Sequence, residues 1–190
     1  MTKTATRILV LPALAATLIL PLSGARADSA PDSMPQAEHV MATHPLQSLP
    51  AVDHLVVRKS ERKLFLMHGG DVVRSYKVAL GLNPTGQKER AGDFRTPEGH
   101  YFLNRRNPRS DYFLSMQVSY PNDRDMKRAR RNHWDAGGSI MIHGLPNQLK
   151  HTPAYYEKTD WTDGCIAVTN SDMVEIWLLT PDDAPIDILP

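Results

Sequence analysis

The chain has 190 residues, a single cysteine and a formal net charge of +1. One cysteine excludes an internal disulfide, so Cys165 is either inert packing or a free thiol kept for its reactivity. The near-neutral balance gives no electrostatic reason to expect nucleic-acid or membrane-surface binding.

In chain order, Lys3 and Arg7 form a short positive start and Ile8 to Leu22 is almost wholly apolar. Ala25-Arg26-Ala27 offers small residues where a signal peptidase reads. These features predict a signal peptide over residues 1–27 and export to the periplasm. The apolar run falls short of the roughly 20 residues that span a bilayer, so no membrane span is expected after cleavage. Cleavage removes Lys3, Arg7 and Arg26 and no acid, taking the charge from +1 to −2. Residues 28–50, with Pro31, Pro35, Pro45 and Pro50, bury little apolar surface and predict a flexible linker. Residues 51–190 remain for one domain.

Leu55-Val56-Val57, Leu64 to Met67 and Val72 to Leu80 are β-rich runs, and His68-Gly69-Gly70-Asp71 is a turn signal. Together they predict a three-strand antiparallel meander. Gly81 to Gly92 predicts a long loop. Asp93 to Phe102 predicts a turn at Pro97 and Gly99 that leads into a strand. Tyr112 to Tyr120 predicts another strand, and Asp123 to Asn132 a helix. The basic residues Lys127, Arg128, Arg130 and Arg131, like Arg105, Arg106 and Arg109, read as solvated surface. Ser139 to Ile142 predicts a buried strand, residues 144–163 a second long loop, and Cys165 to Thr169 a short strand. Asn170 is expected to cap a helix through Leu179, followed by a last strand over Pro185 to Leu189. Many short strands with one or two short helices predict a mainly β, sandwich or barrel-like domain.

His143 and Cys165 end two separate strand-like segments. Adjacent pairing would bring a sulfur and an imidazole together. A nearby imidazole can take the thiol proton, and the thiolate is the nucleophile. Gly144 and Gly164 flank the pair, and glycine lets main-chain N–H groups approach a reacting carbonyl. His133, His143, His151, Asp163 and Cys165 match no compact metal-ligand spacing, so neither metal nor other cofactor is expected.

Ile142-His143-Gly144, followed by Thr162-Asp163-Gly164-Cys165-Ile166, resembles the catalytic signature of the L,D-transpeptidase (YkuD-type) domain. Gly92 to Gly99 resembles the Thr-Pro-x-Gly turn of the same family. The resemblance covers about residues 53–190. It implies that Cys165 attacks the L-centre of meso-diaminopimelate in a peptidoglycan stem peptide and that His143 is the base. It also implies that the Gly144 carbonyl orients the ring and that the N–H groups of Gly164 and Cys165 receive the oxyanion. A thioester would then pass to an amine, and a carbapenem is a candidate acylating agent for the same sulfur. Asp163 stands where the family usually has histidine, and the loop before Thr162 is longer than usual. These departures keep hydrolysis of the L,D-bond open beside transpeptidation. A non-catalytic wall-binding module is the third alternative. Asp163, Thr162, Trp161, Arg95, Tyr112 and Asn147 are the candidate substrate contacts, with Arg95 pairing a carboxylate and the aromatic rings covering an aliphatic arm.

Overall fold

The computed structural model describes residues 51–190. The expected signal peptide over 1–27 and linker over 28–50 lie outside the described residues. Among the described residues no helix is long and apolar enough to cross a membrane.

The meander forms as expected. β1 (His54–Arg58), β2 (Lys63–His68) and β3 (Asp71–Lys77) pair antiparallel in sequence order. Alternation sends Leu55, Val57, Leu64 and Leu66 into the core, each 0% exposed. β4 (Gly99–Ser110) is longer than the sequence suggests, running twelve residues into the arginine-rich stretch. It pairs antiparallel with β5 (Phe113–Val118). α1 (Asp123–Arg131) is capped by Asn122, whose side chain accepts from Arg124 N and Asp125 N. β6 (Met141–His143) pairs antiparallel with β5 and parallel with β7 (Ile166–Ala167). α3 (Asn170–Leu179) precedes β8 (Ala184–Leu189), which lies between β1 and β4.

One eight-stranded mixed sheet results, in the order β3-β2-β1-β8-β4-β5-β6-β7. The chain beyond β3 then meets the far edge: Ala79 and Ala167 exchange both main-chain hydrogen bonds at 2.9 and 2.8 Å. Leu80 and Leu82 bond Thr162 in the same way at 3.1 and 2.9 Å. The sheet is thereby closed on itself around a core that includes Tyr101, Met116, Ile142, Ile166, Met173 and Ile186.

Three sequence expectations are corrected. The loop over 144–163 carries a helix, α2 (Pro153–Lys158), so there are three helices among the described residues rather than one or two. Proline at its first turn starts it, and Tyr156 buries its inner face. Thr169, not Asn170, caps α3, because its hydroxyl accepts from Asp172 N. Arg106 is not solvated surface: it binds Asp182, Trp177 O and Thr180 O beside the end of α3.

Lys59 is a buried ammonium that anchors the first long loop. Its Nζ donates to Gly86 O at 2.6 Å, Thr96 O at 3.0 Å and Glu98 Oε1 at 2.8 Å. Desolvation pulls its pKa below the usual lysine value. Substituting Lys59→Ala strands the Glu98 carboxylate and two carbonyls. Urea denaturation is expected to show a loss of roughly 3 kcal/mol.

Candidate active site

The parallel ladder sets His143 beside Ala167 and Ile142 beside Ile166. One step back along it, Cys165 falls opposite Met141. His143 and Cys165 therefore share a face as diagonal neighbours on strands about 5 Å apart. Both line one cavity of about 500 Å³, together with Tyr112, Ser139, Trp161 and Asp163.

His143 is 4% exposed, and its Nδ1 lies 2.7 Å from Gly144 O. A carbonyl only accepts, so Nδ1 carries the proton and Nε2 keeps its lone pair. Tyr112 lies over the ring at 4.6 Å between centroids, and Trp161 meets its edge at 5.6 Å. Tyr156 of α2 buttresses Trp161 from behind at 5.1 Å. Burial pushes the imidazole pKa down to about 4, against the smaller upward pull of the Gly144 carbonyl.

Cys165 is half-buried, and its Sγ–H donates to Ser139 O at 3.5 Å. Burial raises the thiol pKa against a smaller downward pull from the Met141 main chain, and the nearby Asp163 carboxylate adds a lesser upward push. Both shifts favour a neutral thiol and a neutral imidazole in the resting pair.

The turn holding Cys165 is tightly built. Gly164 adopts φ +131°, and a Cβ there would lie 2.6 Å from Arg95 O. Glycine is required on both counts. The Thr162 hydroxyl donates to Cys165 O at 2.7 Å and accepts from Gly164 N at 3.1 Å. At His143, a Cβ on Gly144 would lie 2.5 Å from Asn170 Oδ1, which also accepts from Leu145 N at 2.8 Å.

Several expected substrate contacts do other work. Thr162 lines the cavity, but its buried hydroxyl both donates and accepts inside the turn, so it shapes the Cys165 loop. The Gly164 N–H is bonded to Thr162, not pointed at a reacting carbonyl. Arg95 donates to Gln87 O and lies 3.8 Å from Glu89, away from the cavity, while its carbonyl packs on Gly164. Asn147 accepts from Phe113 N and donates to Ser110 O, stapling the β4–β5 turn. Asp163, Trp161 and Tyr112 line the cavity as well. The sequence reading missed Ser139, the resting partner of the thiol, because only its carbonyl takes part. It also missed Ser115, whose signal is a polar residue alternating with Leu114, Met116 and Val118 on β5.

Residues 52–188 match the family model YkuD, the L,D-transpeptidase catalytic domain. The chain belongs to the YkuD family of L,D-transpeptidase catalytic domains. The protein named "Putative L,D-transpeptidase YafK" of Escherichia coli strain K12 is 32% identical over 105 residues, which are 54% of this chain and 35% of YafK. Among solved structures, the helical cell shape determining protein Pgp2 of Campylobacter jejuni aligns at TM-score 0.55 and 23% identity, over 73% of this chain and 48% of Pgp2. Bd1075 of Bdellovibrio bacteriovorus aligns at TM-score 0.51 and 24% identity, over 75% of this chain and 49% of Bd1075. These two likenesses are of fold. The chain spans about a third of YafK and about half of the two solved relatives.

The buried imidazole couples stability to pH. The unfolded imidazole binds a proton below about pH 6.5, whereas the folded one resists it until about pH 4. Stability from this group is whole above pH 6.5 and drains away as pH falls towards 4, by on the order of 3 kcal/mol. Urea midpoints measured across that range should lose this part of their slope in His143→Gln.

Proposed function

We propose that the protein is an exported L,D-transpeptidase acting through a Cys165 thioester on peptidoglycan stem peptides. The observation that carries this reading is the single cavity shared by the Cys165 sulfur and a His143 ring fixed with Nε2 unprotonated. That nitrogen is the acceptor a thiol proton needs.

The sulfur attacks the carbonyl at the L-centre of meso-diaminopimelate as Nε2 takes its proton. With both groups neutral at rest, proton transfer accompanies attack instead of preceding it. The carbonyl oxygen gathers negative charge and meets the Cys165 N–H, with the Gly164 N–H joining once it leaves Thr162. Collapse of the tetrahedral species expels the D-amino acid, whose nitrogen takes the proton back from His143. An acceptor amine then attacks the thioester and gives up a proton through His143, and Cys165 leaves as the thiol. The product is a 3→3 crosslink or an attached protein. No cofactor enters the sequence of steps. The signal peptide over 1–27 and linker over 28–50 would deliver the domain to the periplasm, and a part in cell shape follows from work on the wall.

A second reading rests on Asp163, an exposed carboxylate on the cavity wall whose charge reaches the Cys165 sulfur. It is able to orient water on the thioester, which gives hydrolysis of the L,D-bond. Incubation of the mature protein with tetrapeptide muropeptides separates the two: dimers support transfer, and tripeptides without dimers support hydrolysis. Unchanged substrate overturns both and leaves a wall-binding module. Cys165→Ala and His143→Ala are each expected to abolish turnover, and activity should fall as pH drops through about 4, where His143 becomes protonated.

Two further outcomes are expected at the sulfur. Asp163→Asn removes a nearby negative charge, so the thiol pKa falls and iodoacetamide alkylates Cys165 faster at neutral pH. A carbapenem should add its own mass to the intact wild-type protein and not to Cys165→Ala.

A further inference from the structure

The polar face of the β4–β5 arm runs straight into the catalytic cavity. Register pairs Arg105 with Gln117 and Asn107 with Ser115 across β4 and β5. The next step pairs Ser115 with His143 and Gln117 with Met141 on β6. Two polar rows therefore cross the sheet towards the His143–Cys165 face, each strand adding about 5 Å. A second cavity of about 140 Å³ lies on this face, shares Asn107, Ser115 and Met141 with the catalytic one, and is also bounded by Arg105.

Ser115 sits where the two cavities meet. It is 1% exposed, and its hydroxyl has no hydrogen-bond partner. A buried hydroxyl left without a partner costs free energy, and a bound acceptor relieves that cost. Arg109 borders the catalytic cavity and Arg105 the second one. Among the described residues neither guanidinium has a hydrogen bond or an ion pair. Their neighbour Arg106, on the opposite face, has three partners. Two unpaired guanidiniums and an unpaired buried hydroxyl along one groove are the donors that carboxylates of an extended peptide would use.

We propose that this face is a carboxylate-binding subsite that seats the stem peptide beside Cys165, with Arg109 and Arg105 as its clamps and Ser115 Oγ as the donor between them. The proposal rests on the stem-peptide reading above and adds to it a preference for free over amidated side-chain carboxylates. Arg109 reads the carboxylate nearer the sulfur, and Arg105 the one farther along the chain.

Binding to Cys165→Ala tests the subsite apart from turnover. Calorimetry would compare a diaminopimelate tetrapeptide carrying free carboxylates with the same peptide amidated at them. The free form should bind about tenfold more tightly. Arg109→Ala and Arg105→Ala, each made in the Cys165→Ala background and with an unchanged melting temperature, should shrink that ratio. The free form should also lose affinity as salt is raised. Equal affinity for the two peptides, a ratio unmoved by both arginine substitutions, or no binding at all would overturn the subsite. Muropeptide turnover by the wild type is a separate measurement. If it is absent while Cys165→Ala still shows the arginine-dependent ratio, the acyl-transfer reading falls and the subsite stands as peptide recognition.

Discussion

Four main-chain hydrogen bonds between residues 79–82 and residues 162–167 close the sheet, and the site depends on them. Without them β7 would be a two-residue edge strand held only by β6. With them, the chain on both sides of Cys165 is fixed by the opposite end of the sheet. Thr162 does two jobs at this seam. Its main chain bonds Leu80 and Leu82, and its hydroxyl ties the turn that ends at Cys165. Asp160 adds a second anchor, accepting from Leu80 N at 2.9 Å and from the Arg62 guanidinium at 2.9 Å. The Cys165 turn is thus part of the barrel wall and not a surface loop.

Burial sets the electrostatics of the site. Tyr112 and Trp161 exclude water from the imidazole and leave it one main-chain partner. The same burial keeps the thiol protonated, with Asp163 acting in the same direction. Neither group carries a charge that would have to be held in an apolar slot at rest, a costly arrangement without a close partner. The charged groups stand at the rim instead: Asp163 near the sulfur, and Arg109 and Arg105 along the arm.

Local alternation made the meander legible, since Leu55, Val57, Leu64 and Leu66 repeat at the strand period. The two halves of the site were legible because His143 closes an apolar run and Cys165 opens one, each next to a glycine. The roles of Thr162, Arg95 and Asn147 were not, because each depends on which partner the folded chain brings within reach. Arg95 looks like an anion binder in sequence, yet its carbonyl is what matters at Gly164. α2 was hidden because its six residues, opened by a proline, resemble a loop and become helical by burying Tyr156 against Trp161. The arginines of β4 look alike in sequence. Strand alternation separates them, placing Arg106 against α3 and the other two beside the cavities.

The contact between Gly144 and Asn170 links two positions 26 residues apart. The carboxamide oxygen of Asn170 fills the space a side chain at 144 would need, and it also holds Leu145 N. Any side chain at 144 must displace the Asn170 carboxamide and press on the Phe113 side chain, and a change at 170 that removes the acceptor oxygen leaves Leu145 N unpaired. The residue next to the imidazole is therefore held to glycine from two sides, by the first turn of α3 and by the start of β5.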